Sequence, residues 1–276
     1  GGSPECGGSV VVYLKGGDDG KIERLSWTGQ GDTISMGATS IVVERILGEA
    51  QLYLGWPSEA RERIERVHRE AGAYPDIRFD AACLAARIHL LRWELDQTRR
   101  WIGRAEGLAE SDDHRRTALD RLRGGVHLVR GEMDEAALWF ERAARRADGH
   151  GLVALRAACL RDLGRHALLA DRQDVARGRL EAALELDRRV GRAHGEATDL
   201  FLAGLCAQLD HRLENAARLL EPALGIAREV GDELLRASVL IHLGTVEAMI
   251  RDPRAGLDMH REGVRLVTRY GLRGRL

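Results

Sequence analysis

Ten histidines, four cysteines and forty-three acidic residues give this 276-residue chain the raw material for acid–base, nucleophilic or metal chemistry. Their spacing decides whether any of it is assembled. A phosphate cradle needs Gly-x-x-x-x-Gly-Lys-Ser/Thr, a nucleophile elbow needs Gly-x-Ser-x-Gly and a zinc-protease helix needs His-Glu-x-x-His; none of the three occurs. Cys6, Cys83, Cys159 and Cys206 are widely separated, with no two-residue knuckle spacing, and three of them lie in apolar helical stretches. They read as buried free thiols. His89, His127, His166 and His242 fall in helical stretches without ligand spacing and read as packed residues. The adjacent acids Asp18-Asp19 and Asp112-Asp113 sit in predicted loops, and Asp113 is expected to cap the helix that follows it. No nucleophile, base and oxyanion donor come together, so the expectation is a non-enzymatic chain with no metal and no cofactor.

Arginine is the residue type left with chemistry to offer. Every basic residue except Lys15 and Lys21 is an arginine, whose planar fork matches carboxylates and phosphates. Forty-two basic against forty-three acidic residues leave a net charge of -1, so no global field draws nucleic acid or an anionic membrane. With no recognition-helix unit either, direct DNA binding is not expected. The arginines would act as local forks, placed by whatever elements carry them.

Those elements repeat. Gly124, Gly164, Gly204 and Gly244 are each followed twelve residues later by Ala136, Ala176, Ala216 and Gly256, and nineteen later by Ala143, Ala183, Ala223 and Gly263. A forty-residue period means stacked supersecondary units that share one continuous core. Small residues in that register let two helices approach closely, while Phe140, Leu180 and Leu220 fill the space one turn along. Helix propensity does not explain the pattern, because glycine is a poor helix former.

From Ala38 to the end at 276 the chain reads as helix pairs. Ile41–Gly48 opens the first helix, Gly55-Trp56-Pro57 stops it, and Ser58 is expected to cap the second; residues 77 to 110 form the next pair. Later turns are expected near Gly131, Asp171, Asp210 and Asp252-Pro253, with longer polar joints at Asp148–Gly151, Gly191–Gly195 and Gly231-Asp232. Residues 1–37 differ: ten of the thirty-two glycines are here, and Val10–Leu14, a Gly16–Gly20 turn and Ile22–Trp27 predict a β-hairpin, which could belong to an upstream domain. Forty-four per cent apolar and 31% charged residues suit a globular chain. No apolar run approaches the ~18 residues of a membrane span and no signal peptide is present, so a cytoplasmic location is the default expectation.

The spacing of Gly164, Ala176, Leu180 and Ala183 resembles the tetratricopeptide repeat pattern, and the resemblance covers about residues 38 to 270. The period is forty where that family has thirty-four, and Asp120 and His127 stand where its helix A carries aromatic residues. The resemblance implies an all-α, right-handed superhelical solenoid of about six hairpins. Long repeats of this style resemble those of bacterial signalling ATPases and transcription regulators, so an ATPase or DNA-binding domain outside this chain is an expected partner.

The resemblance also implies that the first helices of the pairs line a concave groove through positions five and nine of each repeat. In this chain those are Arg45 and Glu49, Cys83 and Arg87, Arg121 and Gly125, Arg161 and Arg165, Phe201 and Leu205, and Ile241 and Thr245. Arginines at one end and apolar groups at the other, with Met249 nearby, would suit a protein or peptide bearing acids and hydrophobes, or a small anionic effector. The alternative is a solvated lattice of arginines paired with neighbouring acids. If the ladder serves a ligand, reversing Arg121 and Arg161 to Glu is expected to weaken binding without unfolding the array. The functional expectation is a protein- or peptide-binding or effector-sensing module of a signalling or transcription regulator; the alternative is a stand-alone adaptor that holds two proteins together. After Val264, Leu266 and Val267 no polar capping helix follows, so a longer protein or self-association through this end is expected.

Overall fold

The structure, a computed structural model, describes residues 9–16, 22–30, 33–53 and 57–269. Cys6, the Gly17–Gly20 part of the first turn, Gly55-Trp56 and residues 270–276 lie outside them. The β-branched run Val10–Val12 lies in strand β1 (Ser9–Gly16), which pairs antiparallel with β2 (Ile22–Gln30) and sets Val12 opposite Trp27 and Leu14 opposite Leu25. The expected hairpin is therefore present.

Twelve helices follow among the described residues. They are α1 (Thr33–Tyr53), α2 (Pro57–Glu70), α3 (Pro75–Leu91), α4 (Leu95–Ala109), α5 (Asp113–Val129), α6 (Met133–Gly149), α7 (Val153–Leu169), α8 (Gln173–Arg189), α9 (Ala193–Leu209), α10 (Leu213–Val230), α11 (Glu233–Ile250) and α12 (Pro253–Arg269). They form six hairpins, each with an A and a B helix. The helical part starts at Thr33, ahead of the expected Ala38, and Pro57 begins α2 so that Ser58 lies inside the first turn. Proline suits that place because the first helical N–H has no partner to lose. Similarly Asp112, not Asp113, caps α5: its carboxylate accepts from the Arg115 N–H at 2.9 Å.

The forty-residue period comes from two equal halves. Helices α5 to α9 each run 17 residues and are separated by three-residue turns. Each turn contains one left-handed residue, at Gly131, Gly151, Asp171, Gly191, His211 and Gly231, a strict twenty-residue series. One such residue reverses the chain, so the expected longer joints at Asp148–Gly151 and Gly191–Gly195 are no longer than the other turns. Asp148 and Gly149 end α6, and Gly195 is buried in the first turn of α9.

The small residues of the repeat sit where the hairpin helices touch. A Cβ at Gly124 would come 2.5 Å from the Phe140 ring, one at Gly164 would come 2.7 Å from Leu180, and one at Gly204 would come 2.7 Å from Leu220. Phe140, Leu180 and Leu220, with the alanines of the same register, are fully buried. The removed Cβ thus makes room for the large residue sixteen positions on, which packs the hairpin without voids. Between hairpins, each A helix also contacts the next A helix, from α1·α3 through α9·α11, while the B helices stand farther apart. That asymmetry curves the stack around its A side. Tyr53 at the end of α1 reaches His194 at the start of α9, with ring centroids 4.6 Å apart.

Candidate ligand-binding groove

The fifth position of each repeat, carried on its A helix, lies on the face that successive A helices share. Arg45 Nε is 3.9 Å from Asp80, Arg121 Nε donates to Asp162 at 2.8 Å, Arg161 Nε donates to Asp199 at 2.6 Å, and the Phe201 ring lies 5.6 Å from His242. Positions nine and thirteen follow on the same stripe, since residues four apart in a helix share a face. The candidate groove wall is therefore built from repeat positions five, nine and thirteen, carried on α1, α3, α5, α7, α9 and α11.

At position five the guanidinium groups are occupied within the protein. Arg161 is only 12% exposed and also donates to Asp187 of α8; Asp187 and Asp199 are fully buried. Arg192 approaches Asp187 at 3.5 Å, and a Cβ at Gly195 would collide with the Asp187 carboxylate, so the glycine is what lets this cluster close. Two buried carboxylates share one close guanidinium. Burial pushes the Asp199 carboxyl up to about 6, with Arg161 pulling it down and Asp187 adding to the rise. Burial disfavours the charge on Arg121, but Asp162 more than offsets this and raises its pKa above the ordinary arginine value. Reversing Arg121 or Arg161 to Glu would put an acid against buried aspartates, so the double reversal would perturb the fold along with any binding.

Position nine differs. Arg87 is exposed and forms no ion pair among the described residues, and Arg165 is 48% exposed with one contact, 3.3 Å from Asp162. Among the arginines at positions five and nine, these two are the most open to solvent. Leu205 and Phe201 are half-buried against the core, and Ile241 is likewise half-buried.

The row missed in the sequence is position thirteen: Tyr53, Leu91, Val129, Leu169, Leu209 and Met249 are all apolar. Leu169, Leu209 and Met249 are 64%, 49% and 62% exposed, spaced forty residues apart at the ends of α7, α9 and α11. Continuing the i, i+4 stripe one step past position nine would have found this rail. An apolar side chain left exposed at the same place in three successive repeats has no packing explanation.

His89, His127, His166 and the buried Cys206 thiol have structural partners. His166 Nε2 bonds the Met133 carbonyl at 2.8 Å, and forty residues on Cys206 Sγ donates to the Gln173 carbonyl at 3.3 Å, so both link an A helix to the preceding B helix. His89 and His127 bond Glu94 and Glu132 at the hairpin turns, at 2.5 and 2.6 Å. Asp120, where the resembled pattern has an aromatic residue, is a buried hub for Arg123, Arg142 and Arg146. Burial pushes the Cys83 and Cys159 thiols up to about 12.

No helix among the described residues is long and apolar enough to cross a membrane. No protein-family profile matches the chain, and no curated protein matches it in sequence. Solved structures do match. BtubC (BKLC) from P. vanneervenii is 19% identical, with a TM-score of 0.56 over 82% of this chain and 93% of that one. A Rap protein complexed with competence and sporulation factor is 10% identical, with a TM-score of 0.60 over 84% of this chain and 67% of that one. A signal transduction ATPase with numerous domains and a tetratricopeptide repeat sensor, from Pyrococcus horikoshii, is 12% identical, with a TM-score of 0.56 over 76% of this chain and 33% of that one. The fold is accordingly that of a tetratricopeptide-type helical repeat array, an all-α right-handed superhelical solenoid of six hairpins.

Proposed function

We propose that the chain is a non-enzymatic module that binds a peptide segment of a protein partner along its A-helix groove, as the sensing arm of a signalling or transcription regulator. The observation that carries this reading is the exposed apolar rail of Leu169, Leu209 and Met249, with Arg87 and Arg165 as the available cations on the same stripes. An apolar edge flanked by forks suits a segment with hydrophobic side chains and nearby carboxylates. The same fold carrying a competence and sporulation factor in a Rap protein, and serving as a sensor beside an ATPase, supports the regulator setting. Shifting contacts between the array and another domain on binding would pass the signal on without chemistry in this chain.

The test is selection from a random peptide library on the intact chain, repeated with a Leu169→Glu, Leu209→Glu, Met249→Glu variant. Acidic-apolar peptides should be enriched by the first and bind the second at least about tenfold more weakly, with helical circular dichroism unchanged. Failure to enrich any such peptide, or equal binding by the variant, would remove the rail as the site.

A further inference from the structure

A second site lies away from the groove, between the first two hairpins. The end of α2, the first turn of α3 and the middle of α4 line an open cleft of about 540 Å³ whose wall includes Arg69, Arg78, Arg104, His68, Trp101 and Glu65. Elsewhere the array pairs many of its arginines with nearby acids, and here three of them converge without one: none of Arg69, Arg78 and Arg104 forms an ion pair among the described residues. The single carboxylate on the wall, Glu65, is turned to His89 at 3.3 Å.

The positive charge of the cleft is built in. Arg78 Nε is buried with no hydrogen-bond partner, a donor stripped of water and left unused. Arg104 is held flat over the Trp101 ring, its guanidinium carbon 4.2 Å from the ring centroid, which fixes its direction. His68 stands edge-on to the same ring at 5.0 Å, and its Nδ1–H donates to the Arg78 carbonyl at 3.1 Å. The ring's Nε2 is then the lone-pair side. Burial, with Arg78 and Arg104 nearby, lowers the His68 pKa, so it remains a neutral acceptor at pH 7.

We infer that this cleft binds a small molecule carrying a phosphomonoester, with Arg69, Arg78 and Arg104 as forks on its oxygens and His68 Nε2 accepting from a ligand hydroxyl. Three forks without a counter-carboxylate fit a doubly charged oxyanion better than a single carboxylate. The volume is that of a metabolite-sized site, in the range of known small-molecule pockets. This site is independent of the groove reading, since no residue of positions five, nine or thirteen contributes to it.

The experiment is titration calorimetry on the intact chain with inorganic phosphate, adenosine monophosphate, adenosine and a phosphoserine peptide, followed by Arg78→Gln, and by Arg69→Gln with Arg104→Gln, both of which are exposed. Arg100→Gln, an exposed and unpaired arginine on α4 outside the cleft, serves as the control. Binding of adenosine monophosphate and phosphate but not adenosine, with at least about tenfold loss in either cleft variant and none in Arg100→Gln, is the expected result. Should Arg78→Gln fail to fold, the Arg69/Arg104 variant carries the test alone. No binding of either phosphate compound, equal affinity in the cleft variants, or binding of the phosphoserine peptide alone would overturn the inference.

Discussion

Replacing Arg161 with Met should destabilise the array in a way that depends steeply on pH. The side chain keeps its volume and apolar stem, so the change removes the charge that Asp187 and Asp199 share and little else. Both aspartates are fully buried, and breaking a buried pair by removing one partner costs about 3–5 kcal/mol. The pH dependence follows from Asp199. Its pKa in the folded state is about 6, above the ~3.9 of an unfolded aspartate, so its contribution to stability is fully present below pH ~4 and is lost as pH rises through 6. Without Arg161 the folded pKa rises further, and the loss continues past pH 6 in the variant after the wild type has levelled off. The gap between the two should therefore be smallest near pH 5 and widen by up to about 2.7 kcal/mol by pH 8, since each of the two pH units above 6 is worth about 1.36 kcal/mol. Urea unfolding followed by circular dichroism at pH 5, 6, 7 and 8 measures it; because a repeat array can unfold in segments, midpoints and slopes should both be compared. A gap below about 1 kcal/mol at pH 8, or one that does not change with pH, would refute the shared buried charge.

Other outcomes follow from the same structure. Gly204→Ala should cost about 1–3 kcal/mol, because the new Cβ meets Leu220 at 2.7 Å, and combining it with Leu220→Ala should cost less than the sum of the two single changes in a double-mutant cycle. His211→Gly should raise stability by about 0.5–1 kcal/mol, since His211 holds a φ of 57° at a place where Gly131, Gly151, Gly191 and Gly231 stand in the same series; a lower melting temperature would contradict this. Cys159, fully buried and with its thiol at about 12, should react with iodoacetamide only on unfolding, so fast labelling of the native chain at pH 8 would count against the packing described.

The fold was legible because its signal is repeated. Gly124, Gly164 and Gly204, in register with Phe140, Leu180 and Leu220, state the close approach of two helices several times over, and the structure places each pair in contact. The turns were misjudged in length because Asp148, Gly149 and Gly195 look like loop residues locally, whereas each helix simply runs to its 17-residue limit and a single left-handed residue turns the chain. The arginine stripe was visible, but its partners were not. Asp162 and Asp199 lie about one repeat away from Arg121 and Arg161, and only the stacking of A helices brings them together. The apolar rail of Leu169, Leu209 and Met249 keeps the forty-residue period, but the sequence does not show that these side chains stay exposed while others of the same apolar type are buried. The cleft of Arg69, Arg78 and Arg104 falls in the two hairpins that keep the regular period least well, so no repeat announces it, and it takes three separate helices to form.

The most direct test of the groove reading is hydrogen–deuterium exchange of the intact chain with and without a peptide selected from the library. Added protection at the C-terminal halves of α7, α9 and α11, absent in the Leu169/Leu209/Met249 glutamate variant, is the predicted result. Protection confined to the B helices α8, α10 and α12, or unchanged in that variant, would contradict the account.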